Sequence, residues 1–285
     1  VRLLVATDLD ACLLDENGYG YEAALDALAR LKREGATLVA ASSKTRAEME
    51  PIVEKLGFEA PFIVENGGAI VIPEGHVAVS RHDAERRGNA VVIALGAKHA
   101  RLAAELAEIA GECGVTLKSM SAMSLAEIQE LTGLSAPQAT QAKRREYDEP
   151  FLAPAGADIE ALSRSAARRG LRMTRGGRFH HLTGPTDKGR ALVELLGIYR
   201  AVGRSFTVLA LGDSANDLSM LRAADRPVIV PRPSGAPDHD LSEALPGAEI
   251  APLPGPAGWN RAILAILDGE RLPSAGAETK GGDGV

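Results

Sequence analysis

The chain's 285 residues, 45% hydrophobic and 25% charged, exclude a disordered or fibrous protein and suffice for a large core and for two domains. A net charge of −6 and a single tryptophan, Trp259, argue against a surface built for polyanions or stacked bases, so nucleic acid is not an expected partner. Two cysteines, Cys12 and Cys113, exclude a disulfide framework, and with no apolar run of about eighteen residues and no basic, apolar leader the expectation is a soluble cytoplasmic protein without a membrane partner.

Arg2–Thr7 is an almost unbroken apolar run that stops at Asp8-Leu9-Asp10, as a strand covered on both faces does. A helical pattern over Tyr21–Arg33, with Gly35 as its C-cap, leads to a second strand, Thr37–Ala41, ending at Ser42-Ser43-Lys44. A helix over about Arg46–Leu56 precedes a third strand, Phe62–Val64, which stops at Glu65-Asn66-Gly67-Gly68. Far downstream, Phe206–Leu211 runs into Gly212-Asp213-Ser214-Ala215-Asn216-Asp217, and Pro227–Val230 forms a fifth strand. Strands alternating with helices predict an α/β fold with a doubly wound parallel sheet, whose ligands sit at the carboxyl ends of the strands. Four of the five strands end in polar clusters, which together offer carboxylates, hydroxyls, an amide and glycines to one converging site.

From about Arg81 to Gly184 the pattern changes. Strand-like pieces at Ala90–Leu95, Thr116–Ser119, Leu171–Thr174 and Arg178–Leu182 alternate with helices near His99–Glu112, Leu125–Leu131 and Ile159–Arg169. These predict an α+β module, residues 81–184, inserted into a core made of residues 1–80 and 185–267, at a place where it can cover the site as a lid. Residues 268–285, polar and glycine-rich, are expected to be a disordered tail.

Asp8 and Asp10 lie two apart at the mouth of a buried strand and so point to one side. Two carboxylates ~4 Å apart repel by about 4 kcal/mol at an effective dielectric of about 20, a penalty that a divalent cation removes. Asp213 and Asp217 complete a set of hard oxygens that favours Mg²⁺ over zinc, and which of the two touches the ion directly stays open. Such a site suits phosphoryl transfer. Asp8 is the candidate nucleophile, and Asp10 the acid for the departing alkoxide and the base for the hydrolytic water. Ser42 is a candidate hydrogen-bond donor to the phosphoryl group, and Lys188, in Thr186-Asp187-Lys188-Gly189-Arg190, a positive charge beside it. Thr186 or Asp187 is the candidate N-cap of the helix that Lys188 begins.

Candidate substrate contacts are Ser43, Lys44, Asn66, Gly67 and Asn216 on the strand-end loops, with Arg145, Arg178 and His180 on the inserted module. Arg178 and His180 alternate along a predicted strand and so project to one side, where an arginine can pair with a substrate carboxylate. Each candidate also has a plain structural use: Asp217 as a helix-start acid, Ser42 as a local backbone partner, Asn66 and Gly67 as turn residues, His180 as a packed ring.

Taken in order, Asp8-Leu9-Asp10, Ser42, Lys188 and Gly212-Asp213-Ser214-Ala215-Asn216-Asp217 resemble the four motifs of the haloacid dehalogenase (HAD) superfamily. The inserted module resembles the large C2-type cap of its Cof-type sugar phosphatases. Ser43-Lys44-Thr45-Arg46, Val64-Glu65-Asn66-Gly67-Gly68, Arg145-Glu146-Tyr147-Asp148-Glu149-Pro150-Phe151 and Gly176-Gly177-Arg178-Phe179-His180-His181-Leu182 are similar to the mannosyl-3-phosphoglycerate phosphatase family, and the similarity spans about Arg2–Leu267. The resemblance implies a HAD-like Rossmannoid core, Mg²⁺ dependence and an aspartyl-phosphate on Asp8. It also implies a small phosphorylated sugar or glycerate substrate, with mannosylglycerate and phosphate as products. The alternatives are another Cof-like phosphatase, acting on glucosyl-3-phosphoglycerate, sucrose phosphate or a hexose phosphate, a phosphomutase, and a non-catalytic phosphosugar sensor. One departure stands out: the first motif continues Ala11-Cys12 where the superfamily usually has Gly-Thr. Alanine restricts φ, and a thiol is a weaker hydrogen-bond partner than a hydroxyl.

Overall fold

The computed structural model describes residues 2–15, 20–176 and 178–276, and the chain divides into two compact units, Val1–Leu38 with Phe206–Val285, and Val39–Ser205.

The first unit is built on a five-stranded sheet ordered Glu249–Ile250, Arg226–Ile229, Phe206–Gly212, Arg2–Thr7, Thr37–Ala40. Arg2–Thr7 and Phe206–Gly212 run parallel with Thr7 opposite Leu211, so the loops that follow them leave the sheet at the same level. Leu4, Val5, Ala6, Leu209, Ala210 and Leu211 are all buried, which is why these strands read as apolar runs and not as alternating ones. The helix Leu25–Arg33 buries Ala27, Leu28 and Leu31 and ends at Gly35, whose φ of +67° is the left-handed conformation expected of a residue closing a helix. The helix Gly255–Leu267 buries Trp259, Ala262 and Ile263, and its Asn260 Oδ1 accepts from the Ala27 amide at 2.8 Å. Glu249–Ile250, two residues long, carried no periodic signal in the sequence. Part of the predicted tail is built onto it: the Ile250 amide donates to the Pro273 carbonyl at 2.8 Å and the Leu272 amide to Glu249 at 2.8 Å. The rest of that tail, residues 277–285, lies outside the described residues.

Thr37–Ala40 carries the chain into the second unit, where the helix Arg46–Leu56 starts on a Thr45/Glu48 capping box and stops at Gly57, φ +66°. Phe62–Val64 belongs to an antiparallel sheet ordered Phe62–Val64, Ala69–Pro73, Ala90–Ala94, Ala84–Arg87, and a single parallel bridge between Ala41 and Ile63 ties it to the end of Thr37–Ala40. The chain reverses after Val64 because Glu65, Asn66 and Gly67 all take positive φ, +49°, +54° and +92°. A second antiparallel sheet is ordered Lys118–Ser119, Asp148–Leu152, Phe179–Thr183, Arg172–Gly176. Leu102, Leu106, Ile109, Phe151, Leu162 and Leu182 pack it against the helices His99–Glu112 and Ile159–Arg168. Met120, Met123, Ile128, Ala139 and Phe179 form a smaller cluster under Leu125–Thr132 and Ala136–Ala142, the latter a helix the sequence did not predict. Asp187 caps the helix Lys188–Ala201, accepting from the Arg190 amide at 2.9 Å. Among the described residues no helix is long and apolar enough to cross a membrane.

Candidate active site

In the first unit the two adjacent parallel strands deliver an acidic cluster. Asp8, Asp213 and Asp217 are all buried and place one carboxylate oxygen each within 4.8 Å of the others. Asp8 is fixed through its amide, which donates to the Leu211 carbonyl across the strand pair at 2.9 Å. Asp217 is held by the turn it closes: its Oδ2 accepts from the Asp213 amide at 3.1 Å and the Ser214 amide at 3.2 Å, in a capping box around Ala215–Asp217. Gly212 makes room for this, since a Cβ there would lie 2.5 Å from the Asp217 Cβ. Asn216 takes part through Oδ1, which accepts from Ser214 Oγ at 2.7 Å. Asp10 lies in the loop after Asp8, outside the group of three.

Three buried carboxylates so close together repel by about 3.5 kcal/mol per pair at 4.8 Å and an effective dielectric of about 20. A hard divalent cation relieves all three repulsions at once, and the donor set, oxygen only, is the one such a cation takes. The thiol of Cys12 is pushed well above its ordinary range by burial and then by Asp8, Asp213 and Asp217, so it is neutral and no soft ligand competes. Ala11 adopts φ +56°, the left-handed region in which the departure from glycine carries a cost of about 1–2 kcal/mol.

In the second unit, loops from three elements meet. The Ser42 amide donates to the Ile63 carbonyl at 3.0 Å, and its own carbonyl accepts from the Asn66 amide at 3.0 Å. Ser42 Oγ accepts from the Lys44 amide at 3.2 Å, and Lys44 is buried. Gly67 abuts the start of the helix Lys188–Ala201 so closely that a Cβ would lie 2.1 Å from the Asp187 carbonyl oxygen, and Thr186 Oγ1 donates to the Gly67 carbonyl at 2.7 Å. Ser42, Asn66, Gly67 and the fully buried Lys188 are thereby drawn together.

Arg145, a candidate substrate contact on the inserted module, has only 9% of its side chain exposed. It donates to the Ser43 carbonyl at 2.6 Å and the Ala142 carbonyl at 3.0 Å, and lies 3.4 Å from Asp148 Oδ2. Arg178 sits exposed in the turn before Phe179–Thr183, so the predicted alternation of Arg178 with His180 along one strand is absent. His180 stacks on Phe151 with ring centroids 5.6 Å apart, and burial, with Arg175 and His181 nearby, lowers its pKa.

Sequence reasoning gave no role to Glu65. Fully buried, it accepts from the amides of Glu146 at 3.0 Å and Tyr147 at 2.8 Å, and burial, partly offset by Arg145 and reinforced by Asp148, raises its carboxyl to about 7. Asp148 and Glu149 pair with His181 at 2.7 Å and His99 at 2.8 Å. The signal was present in the charged run Arg144–Glu149, which reads as a solvated face until its strand is seen to be buried.

A family model for haloacid dehalogenase-like hydrolases matches residues 5–100. A glucosyl-3-phosphoglycerate/mannosyl-3-phosphoglycerate phosphatase of Methanococcoides burtonii is 39% identical over 271 residues, covering 94% of this chain and 98% of its own. A mannosyl-3-phosphoglycerate phosphatase of Pyrococcus furiosus is 36% identical, covering 78% and 88%. Among solved structures, a HAD-superfamily phosphatase of Bacteroides thetaiotaomicron has the same fold, with a TM-score of 0.66 at 17% identity over 94% of this chain and 95% of that one.

Proposed function

Since the chain belongs to the haloacid dehalogenase-like hydrolases of the glucosyl- and mannosyl-3-phosphoglycerate phosphatase family, we propose that it hydrolyses the phosphate ester of mannosyl-3-phosphoglycerate, with the glucosyl compound as a second substrate. The observation that carries this is the gathering of Asp8, Asp213 and Asp217 at the carboxyl ends of two neighbouring parallel strands. That cluster has the oxygen donors and the excess negative charge that fit Mg²⁺, which when bound neutralises charge on the phosphoryl oxygens.

Asp8 attacks phosphorus in line, forming an aspartyl-phosphate while the ester P–O bond breaks. Asp10 gives its proton to the departing alkoxide of the glycerate and then takes one from the water that attacks phosphorus, releasing inorganic phosphate and restoring the Asp8 carboxylate. Ser42 and Lys188 carry the hydrogen-bonding and cationic roles of the second and third motifs. For Lys188 complete burial supports the assignment, because an ammonium is kept in such surroundings only where anionic or polar partners repay its desolvation. Substrate selection is assigned to residues 81–184, with His180 and Arg178 as candidate contacts. Arg145 remains a candidate contact, and it also holds the Ser43 carbonyl at 2.6 Å.

The test is phosphate release from a panel of phosphomonoesters with and without Mg²⁺. Release that needs Mg²⁺ and favours glycosyl-3-phosphoglycerates over hexose and sucrose phosphates is expected. Indifference between these classes would remove the substrate assignment.

A further inference from the structure

Thr7, the last residue of its strand, is fully buried, as are Cys12 and Trp259. Its hydroxyl is the centre of three contacts. Trp259 Nε1 donates to Thr7 Oγ1 at 2.9 Å, Thr7 Oγ1 donates to the Asp8 carbonyl at 2.8 Å, and Cys12 Sγ lies 3.8 Å from the same oxygen. An indole N–H can only donate, so it occupies one lone pair of the hydroxyl. The hydroxyl has one proton, which goes to Asp8. The thiol is therefore left as a donor to the second lone pair, and every polar group in the chain of contacts is matched. An unmatched donor in such a place costs about 1–3 kcal/mol, so the directions of these bonds are strongly set.

The consequence falls on Asp8. Its amide is bonded to the Leu211 carbonyl at 2.9 Å and its carbonyl to the Thr7 hydroxyl at 2.8 Å, so both of its backbone polar groups are tied. The helix that supplies Trp259 is itself seated firmly. A Cβ on Gly258 would lie 1.6 Å from the Leu253 carbonyl oxygen, and one on Gly255 would reach the Ala11 carbonyl oxygen at 3.9 Å. The start of this helix thus closes on its own preceding loop and on the loop that follows Asp8.

We propose that Trp259 and Thr7, with the Cys12 thiol as third member, are positioning residues that hold Asp8 in the orientation for in-line attack. This rests on the phosphatase reading given above. It also accounts for the departure at position 12, where a thiol suffices because its task is to donate one weak hydrogen bond to Thr7 and not to meet the substrate.

The test compares Thr7→Val, which keeps the shape and loses the hydroxyl, with Thr7→Ser, which keeps the hydroxyl, and with Trp259→Phe, which loses the donor together with part of the ring volume. Misplacing a reacting group by a fraction of an ångström to 1 Å costs up to about a hundredfold, so kcat is expected to fall about 10- to 100-fold in Thr7→Val and Trp259→Phe with KM nearly unchanged, while Thr7→Ser stays close to the unmodified chain. A second readout does not depend on turnover. The single tryptophan gives one indole N–H resonance, which is expected to exchange slowly with solvent in the unmodified chain and in Thr7→Ser, and faster and at a shifted position in Thr7→Val. Equal kcat in Thr7→Val and Thr7→Ser, or an indole proton that exchanges freely in the unmodified chain, would overturn the proposal. The two possible failures are separable: an unmodified chain that releases no phosphate removes the underlying reading, whereas an active one whose valine and serine variants turn over alike removes the positioning role alone.

Discussion

Replacing Asp213 with asparagine takes away one of three carboxylates that lie within 4.8 Å of one another. At that distance and an effective dielectric of about 20 each pair repels by about 3.5 kcal/mol, so the substitution deletes two repulsions worth about 7 kcal/mol in the metal-free protein. Proton uptake limits the realised gain, because an ordinary aspartate accepts a proton at pH 7 for about 4 kcal/mol. The metal-free Asp213→Asn protein is therefore expected to be more stable than the unmodified one, by up to about 4 kcal/mol, or several degrees in Tm. With Mg²⁺ the order changes. At a concentration a hundred times its Kd a ligand stabilises by about 2.7 kcal/mol, and the variant, missing one anionic donor, is expected to gain less than about 1 kcal/mol at the same Mg²⁺ concentration. Thermal unfolding in chelator and across a Mg²⁺ titration measures both quantities. A metal-free variant that is less stable than the unmodified protein, together with an unaltered response to Mg²⁺, would refute the electrostatic reasoning.

Glu65 makes stability depend on pH. Its carboxyl stands at about 7 in the folded chain against 4.5 ordinarily, so its contribution is complete below pH 4.5 and is lost as pH rises through 7, a change of about 3 kcal/mol. Glu65→Gln, which keeps an acceptor for the Tyr147 amide, is expected to flatten that slope and to exceed the unmodified chain in stability at pH 8, as urea unfolding at a series of pH values will show. Gly67→Ala meets both a φ of +92° and a contact of 2.1 Å with the Asp187 carbonyl oxygen, and a loss of about 2–5 kcal/mol is expected. Gly75→Ala, with φ +81° but no atom within 4 Å, is the control and should lose only the strain of about 1–2 kcal/mol.

The parts of this molecule that were legible in its sequence are those set by local chemistry. Arg2–Thr7 and Phe206–Gly212 are covered on both faces, so their apolar runs and abrupt ends marked the strands and placed Asp8 and Asp213 at their mouths. Arg46–Leu56 was readable because Thr45, Glu48 and Gly57 write its two ends. What escaped is set at a distance or by unusual backbone. Phe62–Val64 pairs in parallel with the end of Thr37–Ala40 through the Ala41–Ile63 bridge, as expected, but its antiparallel partner Ala69–Pro73 was not foreseen: three successive positive φ values, two of them at Glu65 and Asn66, turn the chain back, and nothing in a glutamate announces a left-handed turn. Trp259 and Thr7 are 252 positions apart, beyond the reach of any spacing rule. Arg145 sits in a run of charges that favours a solvated reading, and only the fold shows its guanidinium turned inward onto the Ser43 carbonyl.

The central claim is that the Asp8 carboxylate itself becomes phosphorylated. Quenching the protein during turnover of mannosyl-3-phosphoglycerate with Mg²⁺, reducing with borohydride and sequencing the peptides by mass spectrometry examines this directly, since reduction of an aspartyl-phosphate leaves homoserine in its place. Homoserine is predicted at position 8 alone, only when substrate and Mg²⁺ are both present, and in no sample of Asp8→Asn. Sustained phosphate release with position 8 unlabelled, or by Asp8→Asn at an undiminished rate, would contradict the account.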